Sequence, residues 1–177
     1  GLSVKWASCN IGATKPEERG LYFQWGATQG YEYDTEEVKA HSTWETCPFN
    51  NGASSRDNTY FSTVSGTVCP NDTLISQYDA ATVIYGNNYR MPSKIEVEEL
   101  INNTTSAITT IDGIKCVKLT SNKEGYIDKS IIMPAAGNYI YGNFGSSNYF
   151  WTSNIFHSEL DNLDANAWDL YWDYSIS

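Results

Sequence analysis

Cysteine and histidine are the side chains of this chain that could support metal binding or nucleophilic catalysis. No two cysteines have the Cys-x-x-Cys spacing of a zinc knuckle, and the two histidines lie in no recognisable motif. No spacing suggests a Ser-His-Asp arrangement either. The sequence therefore predicts no catalytic residue, no metal ligand and no cofactor; the side chains considered are Cys9, Cys47, Cys69, Cys116, His41 and His157.

The four cysteines allow either two disulfides or four buried thiols. Cys47 and Cys69 bracket a loop rich in Gly, Ser and Asn, so they are the pair expected if the chain is oxidised. Cysteine is also a common buried apolar residue, which favours the alternative of free thiols.

Acidic side chains cluster at two places where they could act on a ligand. Glu96, Glu98 and Glu99 lie in the N-terminal half of a predicted helix, where the helix dipole and solvation explain them without catalysis. The run from Asp161 to Asn166 offers carboxylate and amide oxygens, which calcium takes in groups of about six to eight. A polar turn before the last strand is the simpler interpretation of that run, and calcium binding is its alternative.

The C-terminal segment from residue 148 onward is the most aromatic part of the chain, and it indicates recognition. Residues 167–174 alternate as a strand does, with one face of Trp168, Leu170, Trp172 and Tyr174 and the other of Asp169, Tyr171 and Asp173. Tyrosine gives a large contact area at low entropy cost, and short polar residues add adaptable hydrogen bonds. The pattern predicts a binding surface, with an ordinary solvent-facing strand as the alternative.

Composition and charge exclude several classes of protein. A net charge of −10 leaves no basic stripe to neutralise phosphates, which argues against nucleic-acid binding. No apolar run approaches the ~20 residues that span a bilayer, so no direct membrane insertion is expected. We also expect no signal peptide, because the sequence opens directly on Gly1-Leu-Ser-Val-Lys-Trp6. The length fits a single domain over residues 1–177, which we expect to be part of a longer chain.

The first half of the chain is predicted to contain one strand, long loops and two helices. Val4–Ile11 has the pattern of a strand, whereas residues 27–73 show little periodicity and are predicted as irregular loops with short strands at most. One helix is predicted over Ser76–Tyr85, ending at glycine, and a second begins at a Ser93–Glu96 capping box. The apolar face of this second helix comprises Val97, Leu100 and Ile101.

Antiparallel strands are predicted after the second helix. Ile108–Ile111 and Ile114–Leu119 flank Asp112-Gly113, which is the signal of a type I′ hairpin turn. Ser130–Gly137 is predicted as a buried strand ending at a bend, and Gly142–Asn148 as a loop into the aromatic segment. This order of elements predicts an α+β domain rather than a βαβ one.

Six separate motifs follow one another in order, and their span extends over nearly the whole chain: residues 1–13, Tyr22-Phe-Gln-Trp-Gly26, Asp79-Ala-Ala-Thr-Val83, Tyr89-Arg-Met-Pro-Ser-Lys-Ile-Glu96 with its helix, Met133-Pro-Ala-Ala-Gly137, and Phe150-Trp-Thr-Ser153 followed by Ala167-Trp168. Together they resemble the C-type-lectin-like domains abundant in Bacteroidetes and their phages, which are related to the formylglycine-generating fold. The Arg-Met-Pro-Ser-x-x-Glu box resembles that fold's Arg-Leu-Pro-Thr-x-x-Glu helix start. The resemblance implies a C-type-lectin-like fold with two helices, antiparallel strands and long irregular loops.

Most residues of these motifs are expected to be structural. Arg90, beside Pro92, is expected to fix the start of the second helix by bonding exposed backbone carbonyls or Glu96. Four tryptophans are candidates for the core: Trp6, Trp25, Trp151 and Trp168.

One branch of this fold, the variable proteins of diversity-generating retroelements, displays its ligand-binding positions in the C-terminal portion. Diversification there replaces adenine-containing codons, typically those of Asn, and spares Trp, Gly and Glu. The residue types of the C-terminal segment fit this pattern. Substituting the adenines of an Asn codon can produce most of them, but it cannot produce the tryptophans. The resemblance implies that the ligand-binding residues are Tyr149, Asn154, Phe156, His157, Asp161, Asn162, Asp164, Asn166, Asp169, Tyr171, Asp173 and Tyr174.

The resemblance implies a non-enzymatic ligand-binding domain, an adhesin or receptor-binding module that meets a protein or glycan on a cell surface. Its expected location is extracellular, on a cell surface or on a phage particle. A calcium-assisted carbohydrate-binding module is the alternative, although the lectin motifs Glu-Pro-Asn and Gln-Pro-Asp are absent. Formylglycine-generating activity is not expected, because those enzymes use a cysteine pair near the C-terminus and no cysteine follows Cys116. Relatives continue to a closing Gly-x-Ser-Val-Arg-Pro-like strand, which we expect to be supplied from outside residues 1–177.

Overall fold

A computed structural model describes residues 1–56, 66–140, 142–145, 148–156 and 166–172. Helices α1, α2 and α3 span Glu36–Ala40, Ala80–Tyr85 and Lys94–Asn102, with 3-10 turns at Pro70–Asp72 and Ser76–Tyr78. The strands are β1 Thr104–Ile111, β2 Ile114–Ser121, β3 Ser130–Pro134, β4 Asn138–Ile140, β5 Asn143–Gly145, β6 Asn148–Phe156 and β7 Asn166–Trp172. The predicted α+β class is therefore confirmed.

The strands form small sheets with sequential neighbours. The first sheet has the order β1-β2-β3, and its strands are antiparallel. β4 pairs with β5, and β6 pairs with β7. The chain divides into two compact units: a first of Gly1–Leu21, Ile95–Tyr149 and Tyr171–Ser177, and a second of Tyr22–Lys94 and Phe150–Leu170.

The β1–β2 hairpin of the first unit follows its sequence signal. Asp112 and Gly113 both have positive φ, at 47° and 82°, as a type I′ turn requires. The two strands pair residue for residue from Ile111↔Ile114 outward, and β3 continues the sheet. Buried side chains of β2 and β3 supply the interior of this sheet: Cys116, Val117, Leu119, Met133 and Pro134. The predicted hairpin and the strand after it are confirmed.

The predicted strand at Val4–Ile11 is wrong. A turn begins at Asn10, where the backbone N–H of Ala13 donates to the Asn10 carbonyl over 3.0 Å. The segment then bonds across this turn, because the Leu21 N–H donates to the Ile11 carbonyl at 2.8 Å. Among the described residues this segment pairs with no strand, and its end at Asn10 and Ile11 is held by the turn instead.

The predicted loop at Gly142–Asn148 also requires correction. Residues Asn143–Gly145 form β5, which pairs with β4 through Tyr139↔Phe144. The two rings lie 4.8 Å apart between centroids. This cross-strand aromatic contact stabilises a short hairpin where glycine and asparagine indicated a loop.

The second unit has a hydrophobic core beneath its long loops. The indole N–H of buried Trp25 donates to the Thr152 carbonyl over 2.9 Å, so its polar atom is satisfied inside the protein. Phe49 packs edge-on against Trp25 and also against Tyr78, at 6.2 and 5.0 Å between ring centroids. The buried members of this cluster are Trp25, Val68, Cys69, Leu74 and Ile155.

Residues 27–56 are mostly irregular, as predicted, but the segment includes α1 and is held by a buried amide. The Asn50 Nδ2 lies 2.8–3.0 Å from the carbonyl oxygens of Trp44, Ala53 and Ser55. Thr35 begins α1 by accepting the Val38 N–H at 3.2 Å. A helix this short has too few residues for a periodic signal, which is why the sequence did not indicate it.

The helix predicted over Ser76–Tyr85 is interrupted at Asp79. Asp79 has an extended conformation, and its Oδ1 accepts the Thr82 N–H at 2.9 Å as the N-cap of α2. Its Oδ2 accepts the Met91 N–H at 2.9 Å. Asp79 therefore starts a new helix and fixes the chain that follows it, and α2 ends at Gly86 as predicted.

Helix α3 begins at Lys94, directly after the predicted cap residue Ser93. Val97 and Leu100 are buried, as expected, but Ile101 is exposed and its predicted place in the core is wrong. The buried face of this helix is narrow. Of the two apolar residues in its last turn, it includes Leu100 but not Ile101.

Candidate functional site

Strands β6 and β7 carry the predicted binding residues that the structure describes. Along β6, Asn148 and Thr152 are buried whereas Tyr149 and Trp151 are exposed, as the period of two in a strand requires. Trp151 was predicted in the core, and this is wrong, because its place in the strand register turns it outward. Its indole N–H donates to the Phe23 carbonyl at 3.0 Å.

Tyr149 and Tyr171 form an exposed aromatic pair in the first unit. They are 37% and 48% exposed, and their ring centroids lie 5.1 Å apart at an angle of 48°. Each tyrosine is held by a strand, so the pair presents two phenol rings from a rigid backbone. Large aromatic surfaces with a polar end are typical of recognition sites.

The alternation predicted for β7 is found at Leu170, which is 5% exposed, and at its neighbour Tyr171. Asp169 departs from it, because this carboxylate is half-buried rather than exposed. Burial raises the pKa of Asp169 above its ordinary value, since desolvation disfavours the charged form. Asp169 is thus less accessible to a ligand than the sequence pattern indicated.

Trp168 is half-buried and has two close aromatic or cationic neighbours in the second unit. The Phe156 ring meets it edge-on at 4.8 Å between centroids, and the Lys94 ammonium lies 3.8 Å from the centre of its ring. Such a cation–π contact stabilises the fold by about 0.5–2 kcal/mol. Lys94 and Trp168 are far apart in sequence, so no local signal could have paired them.

Asn154 connects three segments of the second unit. Its Nδ2 donates to the Asp72 carbonyl at 3.0 Å and to Thr73 Oγ1 at 3.2 Å. Its Oδ1 accepts the Lys94 N–H at 2.8 Å, at the first residue of α3. The amide therefore has a structural function, whatever further contact it makes.

Several predicted binding residues lie outside the described part of the chain. Asn166 is described as the first residue of β7, through its backbone. The others lie outside the described residues: His157, Asp161, Asn162, Asp164, Asp173 and Tyr174.

The structural residues of the motifs occupy different environments. Arg90 Nη1 donates to the Met91 carbonyl at 3.2 Å, which agrees with the predicted bond to a carbonyl near the helix start. Trp25 is buried as expected, whereas Trp6 is half-buried in the first unit.

The cysteines are free thiols. Burial raises the pKa of Cys47 to about 11 and that of Cys69 to about 12, and it also raises the pKa of Cys116. A thiol that stays protonated at neutral pH is a poor nucleophile and a poor metal ligand.

His41 lies at the C-terminal end of α1, where it is the C-cap residue. It stacks on Tyr31 at 4.6 Å between ring centroids, and its Nδ1 lies 2.9 Å from the Glu37 carbonyl oxygen. Within the described ranges, no group of three or more His, Cys, Asp or Glu side chains could hold a metal ion. Among the same residues, no helix has the length and apolar character needed to cross a membrane.

The second unit carries another pair of exposed tyrosines, which the sequence did not indicate. Tyr85 and Tyr89 lie 5.5 Å apart between ring centroids, at the end of α2 and just after it. Tyr89 also borders a groove whose lining includes Asp79, Arg90 and Ser153. In the sequence, the signal for this pair was the spacing of Tyr85 and Tyr89, which lie four residues apart on either side of Gly86.

The chain matches no protein-family model, no curated protein sequence and no solved structure. The function of the protein is therefore inferred from its residues and their geometry.

Proposed function

We propose that this protein is a non-enzymatic ligand-binding domain, an adhesin or receptor-binding module of the C-type-lectin-like type. In this proposal its C-terminal segment is the displayed surface, as in the variable proteins of diversity-generating retroelements. The observation that carries the proposal is the exposed Tyr149–Tyr171 pair on β6 and β7.

The physical argument starts from the cost of ordering a side chain on binding. A tyrosine has few rotatable bonds, and these two rings already contact each other on paired strands, so binding immobilises little further motion. Interfaces draw most of their affinity from a few aromatic or Arg anchors that cost about 2 kcal/mol or more when truncated. Tyr149 and Tyr171 have the exposure and the support that such anchors need.

The remaining predicted residues have unequal roles in the proposal. Asn154 and Phe156 already make contacts within the second unit, so we assign them to positioning the strand. We include His157, Asp161 and Asp164 for their residue types alone. In the proposal their polar side chains orient the ligand. The half-buried Asp169 is a weaker candidate for contact than Tyr171.

Two further observations support the fold type in the proposal. The helix start after the Arg-Met-Pro-Ser box lies where the motif predicts, at Lys94. The α+β composition, with antiparallel strands and long irregular segments, is compatible with a C-type-lectin-like fold. The ligand we propose is a protein or glycan on a cell surface, and the proposed location is extracellular, on a cell surface or on a phage particle.

The proposal is tested by screening the protein against a glycan array and a panel of purified surface proteins, with calcium and with EDTA. The matched sample is the Tyr149→Ala/Tyr171→Ala double variant at the same concentration. We expect specific hits for the wild-type protein that the double variant loses and that EDTA leaves unchanged. Hits that the double variant retains would contradict the proposed surface, and hits that disappear in EDTA would favour the calcium-assisted alternative.

A further inference from the structure

A groove of about 300 Å³ opens in the second unit, and its lining includes neither Tyr149 nor Tyr171. Its walls come from residues 73–76, residues 79–93 and Ser153 of β6. Ligand pockets usually have volumes of roughly 300–1,000 Å³, so this groove lies at the small end of that range and suits a small ligand.

Backbone hydrogen bonds hold the walls of the groove together. The Ser153 N–H donates to the Pro92 carbonyl at 2.8 Å, and the Ser153 carbonyl accepts the Leu74 N–H at 2.8 Å. Strand β6 thus joins the segment around Leu74 to the segment that precedes α3. A groove held in this way is already formed before a ligand arrives, which lowers the entropy cost of binding.

Hydroxyl groups supply much of the lining. Thr82 Oγ1 donates to the Tyr89 carbonyl at 2.9 Å. A hydroxyl that donates in this way keeps two lone pairs with which it can accept a hydrogen bond from a ligand. The threonine and serine side chains of the lining are Thr73, Ser76, Thr82, Ser93 and Ser153.

The formal charges in the groove cancel. Among its described lining residues, Asp79 and Arg90 are the charged ones. The Asp79 carboxylate is 3% exposed and accepts two backbone N–H groups, whereas Arg90 is exposed and donates to the Met91 carbonyl. An anion at Arg90 would also feel the negative charge of Asp79, and a cation would be repelled by Arg90. The groove therefore favours a neutral ligand.

Tyr89 adds a flat carbon surface to the lining, and it is 49% exposed. Its backbone is fixed on both sides, because its N–H donates to the Gly86 carbonyl at 3.0 Å and its carbonyl accepts from Thr82. Its ring also contacts that of Tyr85. An aromatic ring on a fixed backbone loses little further entropy when a ligand packs against it.

We propose that this groove binds the ring of a neutral sugar, as a second site in addition to the C-terminal surface. Sugar hydroxyls both donate and accept, so they match the serine and threonine hydroxyls, the Asn87 amide and the Arg90 guanidinium of the lining. The C–H face of the sugar ring packs on Tyr89. A purely apolar ligand would instead leave the polar groups of the groove without water or partner. The side chains contact the sugar directly, so binding requires no calcium.

The expected affinity is low, because the ligand is small and the groove is open to solvent. One sugar ring with few contacts corresponds to a Kd of about 1 mM. At the micromolar protein concentrations of an array, so weak a site gives no hit. The site is therefore measured with free sugars in solution.

The first experiment titrates methyl glycosides of glucose, galactose, mannose and N-acetylglucosamine into the isotope-labelled protein, in the presence of EDTA. We expect at least one of them to shift the amide signals of Asn87, Tyr89, Arg90 and Ser153, with saturation near a Kd of about 1 mM. Glucuronate and glucosamine, which carry opposite charges, should bind no more tightly. Tighter binding of either charged sugar would overturn the proposal. The absence of saturable shifts for every neutral sugar up to about 50 mM would overturn it as well.

Variants then separate the groove from the tyrosine pair of β6 and β7. Tyr89→Ala should weaken sugar binding at least about fivefold, whereas Tyr89→Phe keeps the ring and should stay within about twofold of the wild type. Tyr149→Ala/Tyr171→Ala is the matched control and should bind the sugar as the wild type does. Unchanged affinity for Tyr89→Ala would overturn the proposal, and so would a loss of sugar binding in the Tyr149→Ala/Tyr171→Ala variant.

Discussion

Replacing Asp79 with alanine should lower the free energy of unfolding by about 2–4 kcal/mol. The carboxylate is buried and accepts two backbone hydrogen bonds, from Thr82 at the start of α2 and from Met91 in the segment before α3. Loss of a helix N-cap costs about 1 kcal/mol, and leaving a second N–H without its acceptor costs about 1–3 kcal/mol. The two terms add because the Asp79 side chain serves both donors.

Asp79→Asn separates the two contributions. Its amide oxygen can still cap α2, but its NH₂ faces the Met91 N–H, so the expected loss is only about 1–3 kcal/mol. Urea unfolding followed by tryptophan fluorescence measures both values if the m-value stays constant. Thr35→Ala, at the N-cap of the short helix α1, is the control and should cost about 0.5–1 kcal/mol. A loss below about 0.5 kcal/mol for Asp79→Ala would refute the reasoning.

Three further predictions concern β7 and the thiols. Leu170→Ala should lower the free energy of unfolding by about 2–5 kcal/mol, whereas Tyr171→Ala should change it by less than about 1 kcal/mol in the same urea assay. Equal losses would show that Leu170 and Tyr171 do not lie on opposite faces of β7. Asp169→Asn should stabilise the protein at pH 7, because the raised pKa means that ionisation opposes folding, and the gain should vanish below about pH 4, where both states bind the proton. Cys47 and Cys69 should react slowly with a thiol reagent at pH 7.5 and rapidly in denaturant, and equal rates in the two conditions would contradict their burial.

Local signals in the sequence predicted the elements that local interactions determine. The β1–β2 hairpin depends on Asp112-Gly113 and on alternation in the adjoining residues, so its turn and strands could be predicted together. The end of α2 at Gly86 and the start of α3 after Ser93 follow from the same kind of signal. Each of these features involves residues that are close in sequence.

Features that depend on distant residues could not be predicted. Val4–Ile11 has a strand-like composition, but its last residue, Ile11, accepts the backbone N–H of Leu21, and no local property distinguishes that outcome from a strand. The connections of Asn154 reach positions 72, 73 and 94, and a sequence pattern contains no record of them. The two-residue period of a strand predicted that Tyr171 lies on the exposed face of β7. Its contact with Tyr149 depends on the pairing of β6 with β7, which the period does not reveal.

The most direct test of the proposed binding surface compares two exposed tyrosine pairs on the same protein. Tyr149→Ala/Tyr171→Ala removes the proposed anchors, and Tyr85→Ala/Tyr89→Ala removes a pair with similar exposure and a similar distance between rings. Affinity for a ligand identified in the screen is measured by biolayer interferometry, after the melting temperatures show that both variants are folded. We predict a loss of about 30-fold or more for the first variant, equivalent to about 2 kcal/mol, and wild-type affinity for the second. Wild-type affinity for the first variant and a large loss for the second would contradict the account.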